Sequence, residues 1–171
     1  MNPKWFGDSY DIVKKFFIDA LKEIGYEVYV EPMFTGDWKG AEQQFFEFLG
    51  AKRNDEYAEP HQRSALLVDP DTGIGKKASS KHVTISSIIK ELEKYEIVFS
   101  FDQSFLRGIS SEARMQEKLS ALHELGGIGF YYDSHARFLF TAKNLTALNT
   151  LREKLIEIGL PAARLVTNKA I

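Results

Sequence analysis

The chain has 171 residues, 44% hydrophobic and 27% charged, values that exclude intrinsic disorder and permit a core burying most of the unfolded surface. It has no cysteine, which excludes disulfides, thiolate metal sites and cysteine nucleophiles together; any metal must sit on oxygen or imidazole. A net charge of −2 argues against a broadly basic nucleic-acid coat but leaves room for a local basic face, so a nucleic acid or nucleotide partner stays open.

One α/β domain over residues 1–171 is the expectation from this length. The opening MNPKWFGDSYDIVKKFF lacks the uninterrupted apolar core of a signal peptide. No run approaches the roughly 18 apolar residues of a membrane span, so a cytoplasmic protein without a membrane partner is expected.

After Gly7-Asp8-Ser9, the residues Ile12, Val13, Phe16, Phe17, Ala20, Leu21 and Ile24 recur at helical spacing, and Gly25 closes the run. YEVYVEPMF is rich in β-branched and aromatic residues and predicts a strand ending near Glu31. A helix is predicted over Ala41 to Leu49, followed by a surface loop through AKRNDEYAEPHQRS. The run ALLV before Asp69 is continuous rather than alternating, the pattern of a strand covered on both faces.

Past the turn-rich PDTGIGKKASSK, a helix from about Thr84 to Lys94 leads into EIVFSF and Asp102. Ser110 or Ser111 can cap a helix running to Leu125, which Gly126-Gly127 ends. Two aromatic runs in IGFYYDSHARFLFTA, around a short polar spacer, predict a hairpin. A last helix from about Leu145 to Ile158, capped by Asn144, precedes a short strand at ARLVT. Together these elements predict a three-layer Rossmann-like fold, its sheet mostly parallel with an antiparallel C-terminal hairpin at one edge.

Ligands of such sheets bind beyond the carboxyl ends of the strands, where Glu31, Asp69, Asp71 and Asp102 are all expected. Carboxylates meeting in one crevice repel each other and call for a cation or a raised pKa. Magnesium or manganese is the natural guest of oxygen-only ligands. Asp69 and Asp71 are the central pair, with Asp102 and Glu31 completing the shell. Gly73, Gly75, Lys76 and Lys77 follow, and the two lysines could neutralise phosphate. Asp102-Gln103-Ser104 with Arg107 could add an acid and an anion clamp. His82 is a candidate acid or base.

Each of these has a plainer reading. Asp-Pro-Asp-Thr-Gly is also a good turn, and Asp102-Gln103-Ser104 also a helix start. His82 is also a surface histidine before a helix. Asp8, Asp11 and Lys14 fall on one helical turn, read more simply as a capped, salt-bridged helix start than as a site. Asp133, Ser134 and His135 are neighbours on a hairpin and cannot converge as a triad, which argues against a serine hydrolase.

Glu31 at one strand exit and Asp69-x-Asp71 with Gly73 at a later one resemble the toprim catalytic domain, over about Val28 to Phe101. The resemblance implies a glutamate acting as acid or base and an Asp pair holding magnesium for phosphodiester transfer. Gly7-Asp8, Asp11 and Lys14 on an opening helix, the Asp69-Pro70 pair and a terminal hairpin resemble small Rossmann-like methyltransferases, over much of the chain. That resemblance implies an S-adenosylmethionine site after the first strand and a base received at the Asp-Pro motif. GDSYDIVK, PMFTG and DPDTG also look like segments of a group of bacterial proteins of unassigned function, a resemblance that implies no activity. The favoured expectation is metal-dependent phosphodiester chemistry by a nuclease or toprim-like enzyme. The alternatives are a methyltransferase relative or a non-catalytic binding domain.

Overall fold

The structure is a computed structural model that describes residues 2–56, 63–105 and 110–168. Its elements run, after a 3-10 turn at Pro3–Trp5, as α1 (Ser9–Glu23), β1 (Glu27–Pro32), α2 (Glu42–Leu49), β2 (Lys52–Arg53) and β3 (Ser64–Asp69). Then follow β4 (Gly73–Ile74), β5 (His82–Val83), α3 (Ile85–Glu91), β6 (Ile97–Phe101) and α4 (Ser111–Glu124). The chain closes with β7 (Ile128–Tyr132), β8 (Phe138–Ala142), α5 (Leu145–Glu157) and β9 (Leu165–Thr167).

The central sheet has seven strands in the order β2-β1-β3-β6-β8-β7-β9. β1, β2, β3 and β6 pair in parallel, whereas β8 runs against both β6 and β7, and β9 runs against β7. Five of the seven strands therefore point the same way, as the helix-then-strand order of the sequence predicts. The predicted hairpin is present, but β8 is inserted between β6 and β7, and the edge itself is β9. Among the described residues no helix is long and apolar enough to cross a membrane.

Strand residues alternate between two buried clusters. Val28, Val30, Ala65, Leu67, Phe99 and Phe101 face the side covered by α1, α2 and α5. Tyr29, Leu66, Val68 and Val98 face α3 and α4. On the first side, the register aligns Phe99 with Phe140 and Phe140 with Phe130 across three strands. Their rings lie 5.5 Å and 5.0 Å apart, and Phe17 of α1 meets Phe140 edge-on at 4.9 Å. Each such pair contributes about 0.5–1.5 kcal/mol beyond its buried area, so this ladder fixes how α1 lies on the sheet.

The helix ends follow local chemistry. Asp8 sits in extended backbone and its side chain accepts from the N–H groups of Tyr10 and Asp11, a cap that stabilises α1 by about 1 kcal/mol. Thr84, Ser110 and Asn144 cap α3, α4 and α5 in the same way. Thr84 is thus the cap of α3 rather than its first residue, and the helix stops at Glu91 instead of Lys94. β2 and the two-stranded ladder of β4 with β5 interrupt segments read from sequence as loops. Two-residue strands have no periodicity to detect.

Candidate functional site

Asp11 and Lys14 lie one turn apart on α1, on the face that packs against the sheet. The Lys14 ammonium donates to Asp11 Oδ1 at 2.8 Å and to Asp69 Oδ2, at the end of β3, also at 2.8 Å. Asp11 Oδ2 accepts from the Gly7 N–H at 2.8 Å. Asp11, Lys14 and Asp69 are 1%, 3% and 1% exposed, so the three charges form a buried network. The phenyl rings of Phe45 and Phe101 lie 5.8 Å and 5.5 Å from the ammonium.

The salt-bridged helix start read from the sequence is therefore half of a longer contact. Burial works to lower the Lys14 pKa, but the charges of Asp69 and Asp11 and their hydrogen bonds outweigh it and hold the ammonium above its ordinary value. Burial pushes Asp69 up, helped by the charge of Asp11, while Lys14 pulls it down; the net direction is up. Asp69 Oδ1 is buried and receives no hydrogen bond among the described residues. Such an orphaned acceptor costs about 1–3 kcal/mol, a debt that a donor from a ligand would relieve.

A cleft of about 390 Å³ lies above this network, within the span of small-molecule sites. Asp8, Asp11, Asp69 and Asp71 supply its acids, Asn2 and Gln103 its amides, and Trp5, Tyr10 and Phe101 its rings. Tyr10 and Phe101 pack edge-on at 5.3 Å. Asp71 is half-buried and accepts from the Thr35 hydroxyl at 3.3 Å. Asp69 and Asp71, the central pair of the sequence reading, thus share one cleft.

The other two acids do not join them. Strand side chains alternate, and Asp69 falls in line with Ala65 and Leu67 on the α1 side. Glu31 falls in line with Tyr29 on the opposite side, exposed, and accepts from Asn54 Nδ2 at 2.5 Å. Asp102 continues the line of Val98 and is fully buried on the α3 and α4 side. Among the described residues, no group of three or more His, Asp or Glu is arranged to hold a metal.

Asp102 is a structural hub. Its Oδ1 accepts from the Ile74 and Ser104 N–H groups at 3.0 Å and 3.1 Å. Its Oδ2 accepts from Lys118 at 2.5 Å and from the Tyr131 hydroxyl at 2.8 Å. Burial pushes the Lys118 ammonium below its ordinary pKa, with Asp102 offsetting part of the effect. Burial, then the charge of Asp102, raises the Tyr131 hydroxyl well above its ordinary value. Gly73 packs against this hub at φ +115°, where an added Cβ would lie 2.4 Å from Asp102 Oδ1, so no side chain fits there.

His82 is held between two hydroxyls, Thr72 Oγ1 at 2.8 Å from Nε2 and Ser79 Oγ at 3.1 Å from Nδ1, and so pins the loop between β4 and β5. It does not line the Asp69 cleft. Lys76 is 88% exposed with Glu117 at 3.7 Å, and Lys77 is exposed. Arg107 lies outside the described residues. The sequence reading did not select Trp5 or Tyr10, named Gln103 only within Asp102-Gln103-Ser104, and set Asp11 and Lys14 aside as structural. The signal for Lys14 was its register: it occupies the apolar stripe of Phe17, Ile18 and Leu21.

No protein-family model, no curated protein and no solved structure matches the chain.

Proposed function

We propose that the chain is a three-layer Rossmann-like domain related to S-adenosylmethionine-dependent methyltransferases, and that Asp69 receives the N–H of an amine on an aromatic ring. The observation that carries this reading is the buried Asp69 Oδ1, without a hydrogen-bond partner among the described residues, beneath a cleft walled by Trp5, Tyr10 and Phe101. Strand order supports it. From β1 the chain steps out to β2 and returns to β3 on the other side of β1, and sheets of this kind take ligands beside such a reversal. Asp69-Pro70 lies at that point.

Four acids and three rings suit a cationic sulfonium, which is attracted both to carboxylates and to ring faces. The loop after β1 fits the cofactor less well. Phe34 and Trp38 meet there at a tilt, ring centres 4.5 Å apart, each also packing on Phe45, and leave the Asp69 cleft as the place for it. The cofactor would supply the methyl group. Asp69 would hold the amine by its N–H, with Lys14 fixing the carboxylate from the other side. Tyr10 and Phe101 would orient the ring.

Calorimetric titration with S-adenosylmethionine tests the cofactor half. Wild type should give a saturable isotherm, weakened about two- to fivefold in Trp5→Ala by loss of a cation–π contact at an exposed ring, worth about 0.5–1 kcal/mol. Trp5 is 58% exposed, so the change should leave the fold intact. A flat isotherm at about 1 mM cofactor, far above useful affinity, retires the reading.

A second reading is favoured by one observation: Asp69 and Asp71 line the same cleft as Asp8 and Asp11. Under it, magnesium or manganese would sit on Asp69 and Asp71 and activate water against a phosphodiester. Millimolar metal should then raise the melting temperature of wild type and not of Asp69→Asn/Asp71→Asn. An equal shift in both proteins, or none in either, counts against a metal there.

A further inference from the structure

On the face of the sheet away from Asp69, a groove of about 510 Å³ is lined by residues of α3 and α4 and by the segment after β4. Its apolar wall is aliphatic, made by Ile74, Ile85, Ala121 and Leu125, and Leu125 is 51% exposed there. No aromatic ring lines it among the described residues, in contrast to the first cleft.

Polar chemistry is concentrated at Arg114 and Lys118, one turn apart on α4. Arg114 Nη1 donates to Glu117 Oε2 at 2.7 Å, while its Nε is buried without a partner among the described residues. A guanidinium offers Nε and Nη as a fork matched to a carboxylate, and here the Nε prong is unused. Lys118 donates to Asp102 Oδ2 at 2.5 Å and to Ser104 Oγ at 2.7 Å, two bonds for an ammonium with three protons.

Charge decides the occupant. Lys76, Arg114 and Lys118 against Glu117 and Asp102 leave one positive charge in excess. That balance matches a monoanion. A phosphate monoester would bring about −1.5 to −2 beside Glu117 and overshoot it.

We propose that this groove binds a carboxylate carried on an aliphatic chain, with the head at Arg114 and Lys118 and the chain along Ile85, Ala121 and Leu125. The aliphatic wall takes the chain out of water, and Arg114 Nε gains an acceptor, having none among the described residues.

The test is a calorimetric titration of the full chain with decanoate below its micelle concentration, run beside decanol, acetate and decyl phosphate. Decanoate should bind saturably at one site. Decanol, which lacks the charge, and acetate, which lacks the chain, should each bind at least about tenfold more weakly. Arg114→Gln should weaken decanoate about tenfold and leave decanol unchanged. Leu125→Asp, at an exposed position that spares the core, should abolish decanoate binding even where Arg114→Gln proves unstable. Trp5→Ala should bind decanoate like wild type, which separates this groove from the first cleft and its cofactor test. Absence of saturable decanoate binding overturns the proposal, as does decanol or decyl phosphate binding as tightly, or an Arg114→Gln protein that binds decanoate unchanged.

Discussion

Lys14→Met should destabilise the protein by about 3–5 kcal/mol in urea unfolding near neutral pH, the cost of removing one partner from a buried ion pair. Methionine fills the space but leaves Asp11 and Asp69 facing each other without a cation, both about 1% exposed. The loss should depend on pH. The folded-state pKa of Lys14 is raised, so its contribution is fully present below the unfolded lysine value and lost as pH climbs through the folded one. Wild type should therefore weaken in alkali, and Lys14→Met should lack that limb.

Asp69 acts with the opposite sense to an ordinary paired carboxylate. Its folded pKa is also raised, so the native state takes up its proton before the unfolded chain does. In Lys14→Met the deficit should thus shrink as pH falls toward the ordinary carboxylate range, beginning above it because the folded pKa of Asp69 is raised, as Asp69 becomes neutral. Adding Asp69→Asn to Lys14→Met should recover part of the loss at neutral pH, because it removes one of the two stranded charges. A deficit below about 1 kcal/mol, or one that ignores pH, would show that the network is not held by charge.

Asp102→Ala should cost a similar amount, about 3–5 kcal/mol, by melting or urea unfolding. It removes the acceptor of five donors at once: the N–H groups of Ile74 and Ser104, the Ser104 hydroxyl, the Lys118 ammonium and the Tyr131 hydroxyl. Asp102→Asn should cost less, since the amide keeps one acceptor oxygen for Ile74 and Ser104 while presenting an NH₂ toward Lys118 and Tyr131. Asp102 does not line the Asp69 cleft, so Asp102→Asn should bind there like wild type at a temperature where it is folded. A wild-type melting curve for Asp102→Ala would remove the hub from the account.

The order of helices and strands, the three side-chain caps at Asp8, Ser110 and Asn144, and the hairpin of β7 with β8 were all legible in the sequence. So was the pairing of Asp69 with Asp71 at one strand exit. What was not legible was the face. An acid at the end of a strand says which edge of the sheet it occupies, and only its parity says which side. In IVFSFD the parity was present, with Phe99 and Phe101 on one side and Ser100 and Asp102 on the other. ALLVD is apolar throughout and carries no such signal, because both its faces are buried. Glu31 and Asp69 were therefore grouped by edge although they stand on opposite sides. The contact of Lys14 with Asp69 spans 55 residues and follows from the docking of α1, not from local pattern. A lysine set in an apolar stripe was the available hint.

Gly73 and the hub behind it also hold one wall of the first cleft. The stretch from Asp69 to Ile74 is fastened at both ends and in the middle, by Met33 to Asp69, by Thr72 to Lys81, by Gln103 to Thr72 and by Ile74 to Asp102. The opposite wall, from Asn2 to Trp5, bonds through its backbone within its own turn and onward to Asp8, whose N–H donates to the Trp5 carbonyl, and it joins α1 through Gly7 at φ +79°. The Asp-Pro-Asp stretch is thus bonded to the strand ends and the β4–β5 loop around it, whereas the leading turn is held by the cap of α1 and by Phe6, whose ring packs on Trp38, Phe45 and Phe48.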